Sequence, residues 1–174
     1  MKKAIARCLV AACVGLLAVV NVQAQTCIGA STIATNGNFS GNNCSTSANE
    51  NSAIGTFCGS LTPTAPISVF TWNYTSPAPH SGNITVSSGN TPFDIALGVI
   101  RGQCSGSGTC VTNADAHQDT TAESVDLSLA AFGTTGTYYL LVTSLSDGST
   151  GAQCGDFSGT VGTLPVKLQS FSID

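Results

Sequence analysis

The feature that most limits how this chain can fold is a set of six cysteines downstream of an apolar N-terminal segment: Cys27, Cys44, Cys58, Cys104, Cys110 and Cys154. An even number of cysteines in an exported chain favours a disulfide framework over a metal site. No Cys-x-x-Cys or His-x-x-x-His spacing competes as a zinc motif. We therefore expect disulfides to stabilise the fold.

Six cysteines allow fifteen pairings, and from the sequence these can be compared only by the length and composition of the loops they would close. The glycine- and serine-rich segment between Cys104 and Cys110 folds back easily, which favours a bond between these two residues. Such a small loop stabilises by about 2 to 3 kcal/mol, against about 4 to 5 kcal/mol for a loop on the order of 100 residues. The expected pairs are Cys104–Cys110, Cys58–Cys154 and, by elimination, Cys27–Cys44.

Residues 1–24 have the pattern of a secretory signal peptide. A Met-Lys-Lys start precedes a mostly apolar run from Ala4 to Val20, and small residues lead to an expected cleavage between Ala24 and Gln25. Cys13 follows a lipoprotein-like sequence but lies inside the apolar run, which disfavours lipidation. We expect a protein of a Gram-negative bacterium that is secreted or held at the cell surface, with the periplasm as an alternative.

Cleavage of the signal leaves Arg101 and Lys167 against nine acidic residues. An acidic surface repels phosphate backbones, so a nucleic-acid partner is not expected. No second apolar stretch of about 18 residues follows, so no membrane span is predicted in the mature chain as given. We expect a monomer whose partner is an extracellular protein or polysaccharide.

Period-two alternation of apolar residues predicts strands. The clearest runs are Ile67–Tyr74, Phe93–Ile100 and Thr137–Ser144. Phe70, Trp72 and Tyr74 share one face of the first run, which is typical of core residues. The mature chain is rich in Gly, Ser, Thr and Asn and nearly free of Lys, Arg and Glu, which disfavours solvent-facing helices. The predicted fold is an all-β, antiparallel β-sandwich with jelly-roll or Greek-key connections.

About 150 mature residues suffice for one hydrophobic core rather than two. We expect residues 25–66 to form a loop-rich, disulfide-tethered N-terminal part of the sandwich. Residues 67–162 form its core, and residues 163–174 form a C-terminal strand or a tail linked to sorting.

The polar segment after Cys110 is the best candidate for bound calcium. Asp115, Asp119 and Glu123 supply hard oxygen ligands, and Asn113 adds a carbonyl. No EF-hand or RTX spacing is present, so the alternative is a polar, solubilising loop. Asp94, beside the Phe93 strand, is expected to make structural hydrogen bonds at a sheet edge rather than to bind a metal.

Catalytic residues are not expected. The only histidines are His80, in a proline-rich turn, and His117, in the acidic segment. No Gly-x-Ser-x-Gly sequence occurs, and every mature cysteine has a disulfide role. The sequence therefore predicts a protein that is not an enzyme and that needs no cofactor other than calcium.

Three segments resemble the bacterial pre-peptidase C-terminal domain in their order and spacing. They are the aromatic strand and Ala-Pro turn of Val69–Ser88, the Phe-Asp-x-x-Leu strand and cysteine of Phe93–Cys104, and the Gly-x-x-Tyr-Tyr strand within Gly133–Ser144. The resemblance covers about residues 55–161. It implies a non-catalytic β-sandwich of the kind that accompanies secreted enzymes or surface proteins.

The tail Leu164–Asp174 separately resembles the Leu-Pro-Val-x-Leu-x-Ser-Phe-Ser segment of Gram-negative surface proteins processed by exosortase-type sorting. Together the two resemblances imply a secreted or cell-surface interaction or structural module. The alternative function is a calcium-dependent carbohydrate- or protein-binding domain that uses residues 113–123.

Overall fold

The computed structural model describes residues 27–59, 61–63, 65–74, 80–91, 93–115, 122–145 and 154–164. Nine strands lie within them: β1 (Ser31–Thr32), β2 (Asn38–Asn42), β3 (Ser68–Tyr74), β4 (Ser81–Ser88), β5 (Ala96–Arg101), β6 (Thr109–Ala114), β7 (Glu123–Asp126), β8 (Gly136–Thr143) and β9 (Asp156–Thr163). One helix, α1 (Thr46–Asn51), and two 3-10 turns, Ser52–Ile54 and Ala130–Gly133, complete the described elements. The expected signal peptide, its Ala24–Gln25 cleavage site and the tail beyond Leu164 lie outside the described residues.

The strands form two sheets. Sheet A has the order β1-β3-β8-β5-β6, and sheet B has the order β2-β9-β4-β7. All pairs are antiparallel except the short β1, which lies parallel to β3. Among consecutive described strands only β5 and β6 pair as a hairpin, because the other connections cross from one sheet to the other. The predicted all-β sandwich is confirmed.

The main core lies between the two sheets. Phe70, Trp72 and Tyr74 of β3 are buried there, which confirms the prediction from their shared face. The Trp72 ring stacks on Tyr138 of β8 at 5.3 Å between centroids and 13° between planes. Phe39 of β2 approaches Phe70 at 4.7 Å. Aromatic contacts of this kind add to the free energy gained from burial.

Glycines in sheet B make room for the rings of Phe39 and Phe157. Phe39 is paired with Gly159, and Gly41 with Phe157. A Cβ at Gly159 would lie 2.2 Å from Cζ of Phe39, and one at Gly41 would lie 2.6 Å from Cζ of Phe157. Each ring covers the backbone of the glycine on the neighbouring strand, where no side chain would fit.

A second core lies on the outer face of sheet A. The N-terminal cover, defined as residues 54–59 and Leu61, packs Ile54, Phe57 and Leu61 against Val69, Ile100 and Leu141 of the sheet. The Phe57 ring lies directly over Gly98 of β5, where a Cβ would be 2.1 Å from Cε2. Strand β5 is therefore buried on both faces.

The six cysteines form three disulfides, as expected, but all three predicted pairings were wrong. The bonds are Cys27–Cys104, Cys44–Cys154 and Cys58–Cys110. Cys110 lies on β6 opposite Ile100, and Cys104 follows β5 and belongs to the second core. Both cysteines therefore bond to the N-terminal segments that pack on sheet A rather than to each other. The ease of closing a short loop did not predict the disulfide pairing, because packing of the sheets brings segments together that are distant in sequence.

None of the helical segments in the described ranges has the length and apolar character needed to cross a membrane.

Candidate functional site

Two of the three acidic residues predicted to bind calcium, Asp115 and Glu123, lie at one end of the sandwich. We call this end the acidic end. Strand β5 begins here and β6 ends here, since Leu97 pairs with Ala114. Strand β7 also begins here, where Glu123 pairs with Val86 near the end of β4. Glu123 is only 2% exposed, and Asp115 is half-buried just after β6. Asp119 lies outside the described residues. Buried carboxylates persist only when they are hydrogen-bonded, paired or bound to a metal, so this end carries specific interactions.

Three details of the acidic end differ from the sequence prediction. Glu123 is the first residue of β7 rather than part of a loop, and Asn113 lies in β6 with its side chain exposed. Asp94 precedes β5, which is an interior strand, so it does not lie at a sheet edge; it is 2% exposed. Within the described ranges, no group of three or more His, Cys, Asp and Glu side chains is arranged to hold a metal ion. Calcium binding stays a prediction that depends on Asp119.

The opposite end of the sandwich holds a histidine ring in contact with three aromatic rings. This aromatic cluster consists of Tyr74, His80, Phe132 and Tyr138. The His80 ring lies 4.5 Å from Tyr74, 5.3 Å from Phe132 and 5.9 Å from Tyr138, measured between centroids. Tyr74 ends β3, His80 immediately precedes β4, and Tyr138 lies on β8. Both sheets and the 3-10 turn at Phe132 therefore contribute to the cluster.

Two local interactions hold the turn that carries Phe132. Asp126 accepts hydrogen bonds from the Ser128 hydroxyl, at 2.7 Å, and from the Ser128 backbone N–H, at 2.8 Å. The hydroxyl and then the backbone bond lower the pKa of the Asp126 carboxyl. Farther along, the Tyr138 hydroxyl donates to the carbonyl oxygens of Phe132, at 3.3 Å, and Thr134. The turn is thus fixed at both ends by side chains of β7 and β8.

A cavity of about 220 Å³ lies beside the aromatic cluster. Its walls are Tyr74, His80, Leu127, Ser128, Leu129, Ala130, Phe132 and Gly133. Leu129 is 42% exposed, whereas His80 is 5% exposed. Nε2 of His80 has no hydrogen-bond partner within the described part of the chain. Buried polar atoms without a partner are uncommon in folded proteins.

Burial lowers the pKa of His80, and a hydrogen bond to the Phe132 backbone opposes that shift. Desolvation disfavours the charged imidazolium, so the folded protein holds the ring neutral at neutral pH.

No family model, curated protein or solved structure matches this chain. The candidate sites therefore rest on the residues that line them.

Sequence reasoning missed the aromatic end. His80 was considered only as a catalytic residue, and no role was assigned to Phe132. The one available signal was the parity of Tyr74, which predicts an inward ring at the end of β3. The contacts with His80 and Phe132 depend on chain crossings between the sheets, which the local sequence does not reveal.

A second cavity, of about 240 Å³, lies between α1 and strands β1 to β3. Its polar wall includes Asn51, whose side chain accepts from the Ile28 N–H at 2.9 Å and donates to the Ile28 carbonyl at 2.7 Å. Ser45 caps α1 by accepting from the Ala48 N–H. These groups serve the fold, so this cavity is a weaker candidate.

The burial of His80 predicts that stability falls on acidification. Because the folded pKa lies below the ordinary value of 6.5, the unfolded chain binds a proton first as the pH drops. The contribution of His80 to the free energy of unfolding should be constant above about pH 6.5. It should decrease below that pH, until the pH reaches the pKa that His80 has in the folded chain. Urea denaturation at pH 7.5 and pH 5.5 measures the change.

The matched variant is His80→Phe, which keeps a ring and removes the titrating group. It should lose less stability between the two pH values than the natural chain does. Equal losses in the two proteins would contradict a neutral, buried His80.

Proposed function

We propose that the chain is an exported, non-catalytic β-sandwich with an interaction or structural role, either secreted or at the surface of a Gram-negative bacterium. The observation that carries the proposal is the set of three disulfides, which join residues 52, 77 and 110 positions apart. Such bonds persist in oxidising compartments and are rare in the reducing cytosol.

The arrangement of the disulfides supports a scaffold role. Two of them fasten N-terminal segments to sheet A, and Cys44–Cys154 joins the segment after β2 to the segment before β9. The paired strands are thus tied close to both ends of the sandwich. A scaffold of this kind can present its end segments to a partner, and segments of that type commonly carry binding residues. The resemblance to pre-peptidase C-terminal modules supports the same role.

The test of export is the location and redox state of the native chain. Proteinase K added to intact cells should degrade it, or it should be found in the medium, while a cytoplasmic marker stays protected. Its cysteines should react with a maleimide only after reduction. A protected chain with reactive thiols would overturn the proposal.

The interaction role is tested by binding of the purified, oxidised chain to washed cell envelopes. Saturable binding that is lost when the chain is reduced and unfolded is the expected result. Binding that does not saturate, or that survives unfolding, would contradict a folded interaction surface.

A second candidate function is calcium-dependent binding of a carbohydrate or protein at the acidic end. The observation that favours it is the burial of the Glu123 carboxylate at the end of the sandwich where the half-buried Asp115 also lies. Calcium coordinates six to eight oxygens, and carboxylates are its preferred charged ligands.

Calcium should then raise the melting temperature. A ligand present at 100 times its Kd stabilises by about 2.7 kcal/mol, which corresponds to about 5 to 10 °C for a domain of this size. Calorimetry in millimolar calcium and in EDTA gives the shift. The double variant Asp115→Asn, Asp119→Asn should lose it, and Asp126→Asn at the opposite end should keep it. No shift in the natural chain would rule out this function.

A further inference from the structure

We propose that the outer edge of β2 pairs with the β2 edge of a second copy of this chain, which joins the two copies of sheet B into one sheet. The two β2 strands run antiparallel and are related by a two-fold axis at Ser40. The proposal goes beyond an exported interaction module, because neither export nor the scaffold role requires self-association. It differs from the monomer expected from the sequence.

Strand β2 is the edge strand that is most open to further pairing. The other edge strands of the described sheets are β1, β6 and β7. Strand β1 has two residues and β7 has four. The register of β6 on β5 shifts at Val111, and β6 also contacts β7 of the other sheet. Short strands and bulges commonly protect a sheet edge, whereas β2 pairs with β9 in unbroken register from Asn38 to Asn42.

Two hydrogen bonds show which backbone groups of β2 face β9. The Asn43 N–H donates to the Gly155 carbonyl at 3.2 Å, and the Gly37 carbonyl accepts from the Val161 N–H at 3.0 Å. Along an antiparallel ladder, pairs that exchange such bonds alternate with pairs that do not. The odd-numbered residues of β2 therefore bond to β9, and the even-numbered residues point their backbone groups to the open edge.

The open edge carries unpaired backbone donors and acceptors. They are the N–H groups of Asn38, Ser40 and Asn42 and the carbonyls of Asn38 and Ser40, none of which has a partner within the described ranges. The Asn42 carbonyl is already used, because it accepts from the Ser45 N–H and the Ser68 hydroxyl, both at 3.4 Å. Such a row of backbone groups is a template for a further strand.

A second copy of β2 satisfies this row in register. With the two-fold axis at Ser40, the Ser40 N–H of each copy donates to the Ser40 carbonyl of the other, and each Asn42 N–H donates to the opposite Asn38 carbonyl. Four hydrogen bonds form in this way from groups that have no partner within the described part of one chain. The interface uses the same surface of both copies, so it closes at two copies.

The charge of β2 favours its own copy as the partner. Its sequence, Asn-Phe-Ser-Gly-Asn, contains no Lys, Arg, Asp, Glu or Pro, so self-pairing opposes no like charges and lacks no backbone donor. The expected mature chain has nine acidic residues against two basic ones, so its copies repel each other over most of their surface. Ile28, which is 45% exposed, lines the cavity of about 240 Å³ beside this edge. The interface therefore has apolar surface to bury next to the uncharged strands.

Sedimentation velocity of the purified, oxidised chain from micromolar to millimolar concentration tests the proposal. The average mass should rise with concentration from that of one chain to that of two, and then stay constant. The mass of one chain at millimolar concentration would overturn the proposal and leave the edge to a strand of another protein. A mass that rises past two chains would contradict it as well, because a two-fold interface closes.

Ser40→Pro removes the central outward N–H and leaves the bonds to β9 intact, which is a position where an edge strand tolerates proline. It should weaken self-association by about tenfold or more, because two of the four hydrogen bonds are lost. Ser40→Ala is the matched control. It keeps the backbone N–H, so it should associate like the natural chain. Unchanged association of a folded Ser40→Pro chain would mean that the copies meet through another surface.

A pair of charged variants tests the register even if the proline variant does not fold. Ser40 is exposed, so Ser40→Lys and Ser40→Glu should both fold. Each alone should associate up to about fivefold more weakly than the natural chain, because like charges lie directly opposite each other across the axis. An equal mixture of the two should recover the association. A mixture that associates no better than the single variants would contradict the pairing at Ser40.

Amide hydrogen exchange locates the contact in the natural chain. In dilute solution the Ser40 N–H should exchange much faster than the Gly41 N–H, which faces β9. At the concentration that gives two chains, the Ser40 N–H should become protected. Exchange at Ser40 that does not depend on concentration would overturn the proposal. All these results come from the purified chain, so failure of the self-association is distinguishable from failure of the export proposal.

Discussion

Replacing Cys58 and Cys110 together by serine should lower the free energy of unfolding by about 4 kcal/mol. The bond closes a loop of 52 residues, and chain-entropy arguments give about this value for such a loop. The loss corresponds to a decrease in melting temperature of about 8 to 16 °C. Thermal and urea denaturation of the oxidised proteins measure the effect.

The single variant Cys110→Ser identifies the partner. It should expose one reactive thiol, and alkylation followed by mass spectrometry should locate that thiol at Cys58. A label at Cys104 would mean that the pairing described above is wrong. An unfolding free energy that does not change in the double variant would mean that this bond does not stabilise the fold.

Phe57→Ala should have an effect of similar size, about 3 to 5 kcal/mol, because it removes a fully buried aromatic ring from the second core. The loss should appear in urea denaturation of the oxidised protein. Gly98→Ala should also destabilise the natural chain, since its Cβ would meet the Phe57 ring at 2.1 Å. In the Phe57→Ala background the same Gly98→Ala change should cost much less.

The double-mutant cycle gives the coupling between Phe57 and Gly98 directly. We expect a coupling free energy of about 1 to 3 kcal/mol, as for residues in contact. Gly133→Ala is the matched control, because a Cβ there meets nothing within 4 Å. Its effect should be the same in both backgrounds. A Gly98→Ala cost that does not depend on residue 57 would contradict the packing of the cover on β5.

The strands predicted from the sequence are those with runs of apolar and aromatic residues. In β3 and β8 the apolar residues recur at period two, and the structure buries them between or behind the sheets. Strands β2 and β6 were not predicted because Asn-Phe-Ser-Gly-Asn and Thr-Cys-Val-Thr-Asn-Ala are mostly polar. They become strands because β9 and β5 offer free backbone groups to pair with, and tertiary pairing overrides weak local propensity.

The second core and the disulfide pairing could not be deduced in the same way. Alternation along β5 indicates one packed face, but nothing local to Gly98 indicates that Phe57, about forty residues earlier, fills the other. The pairing likewise follows from sheet order, which brings Cys27 and Cys58 to the β5–β6 hairpin. The acidic segment was found from composition because it is continuous in sequence, whereas the aromatic cluster is assembled from three separate segments.

Mass spectrometry of a non-reduced peptic digest tests the central claim, that the disulfides clamp N-terminal segments onto sheet A. Digestion at low pH prevents disulfide exchange, because exchange requires the thiolate. The peptide that contains both Cys104 and Cys110 should be released bonded to the Cys27 peptide and to the Cys58 peptide, with Cys44 bonded to Cys154. Release of that peptide alone, with Cys104 and Cys110 bonded to each other, would contradict the account.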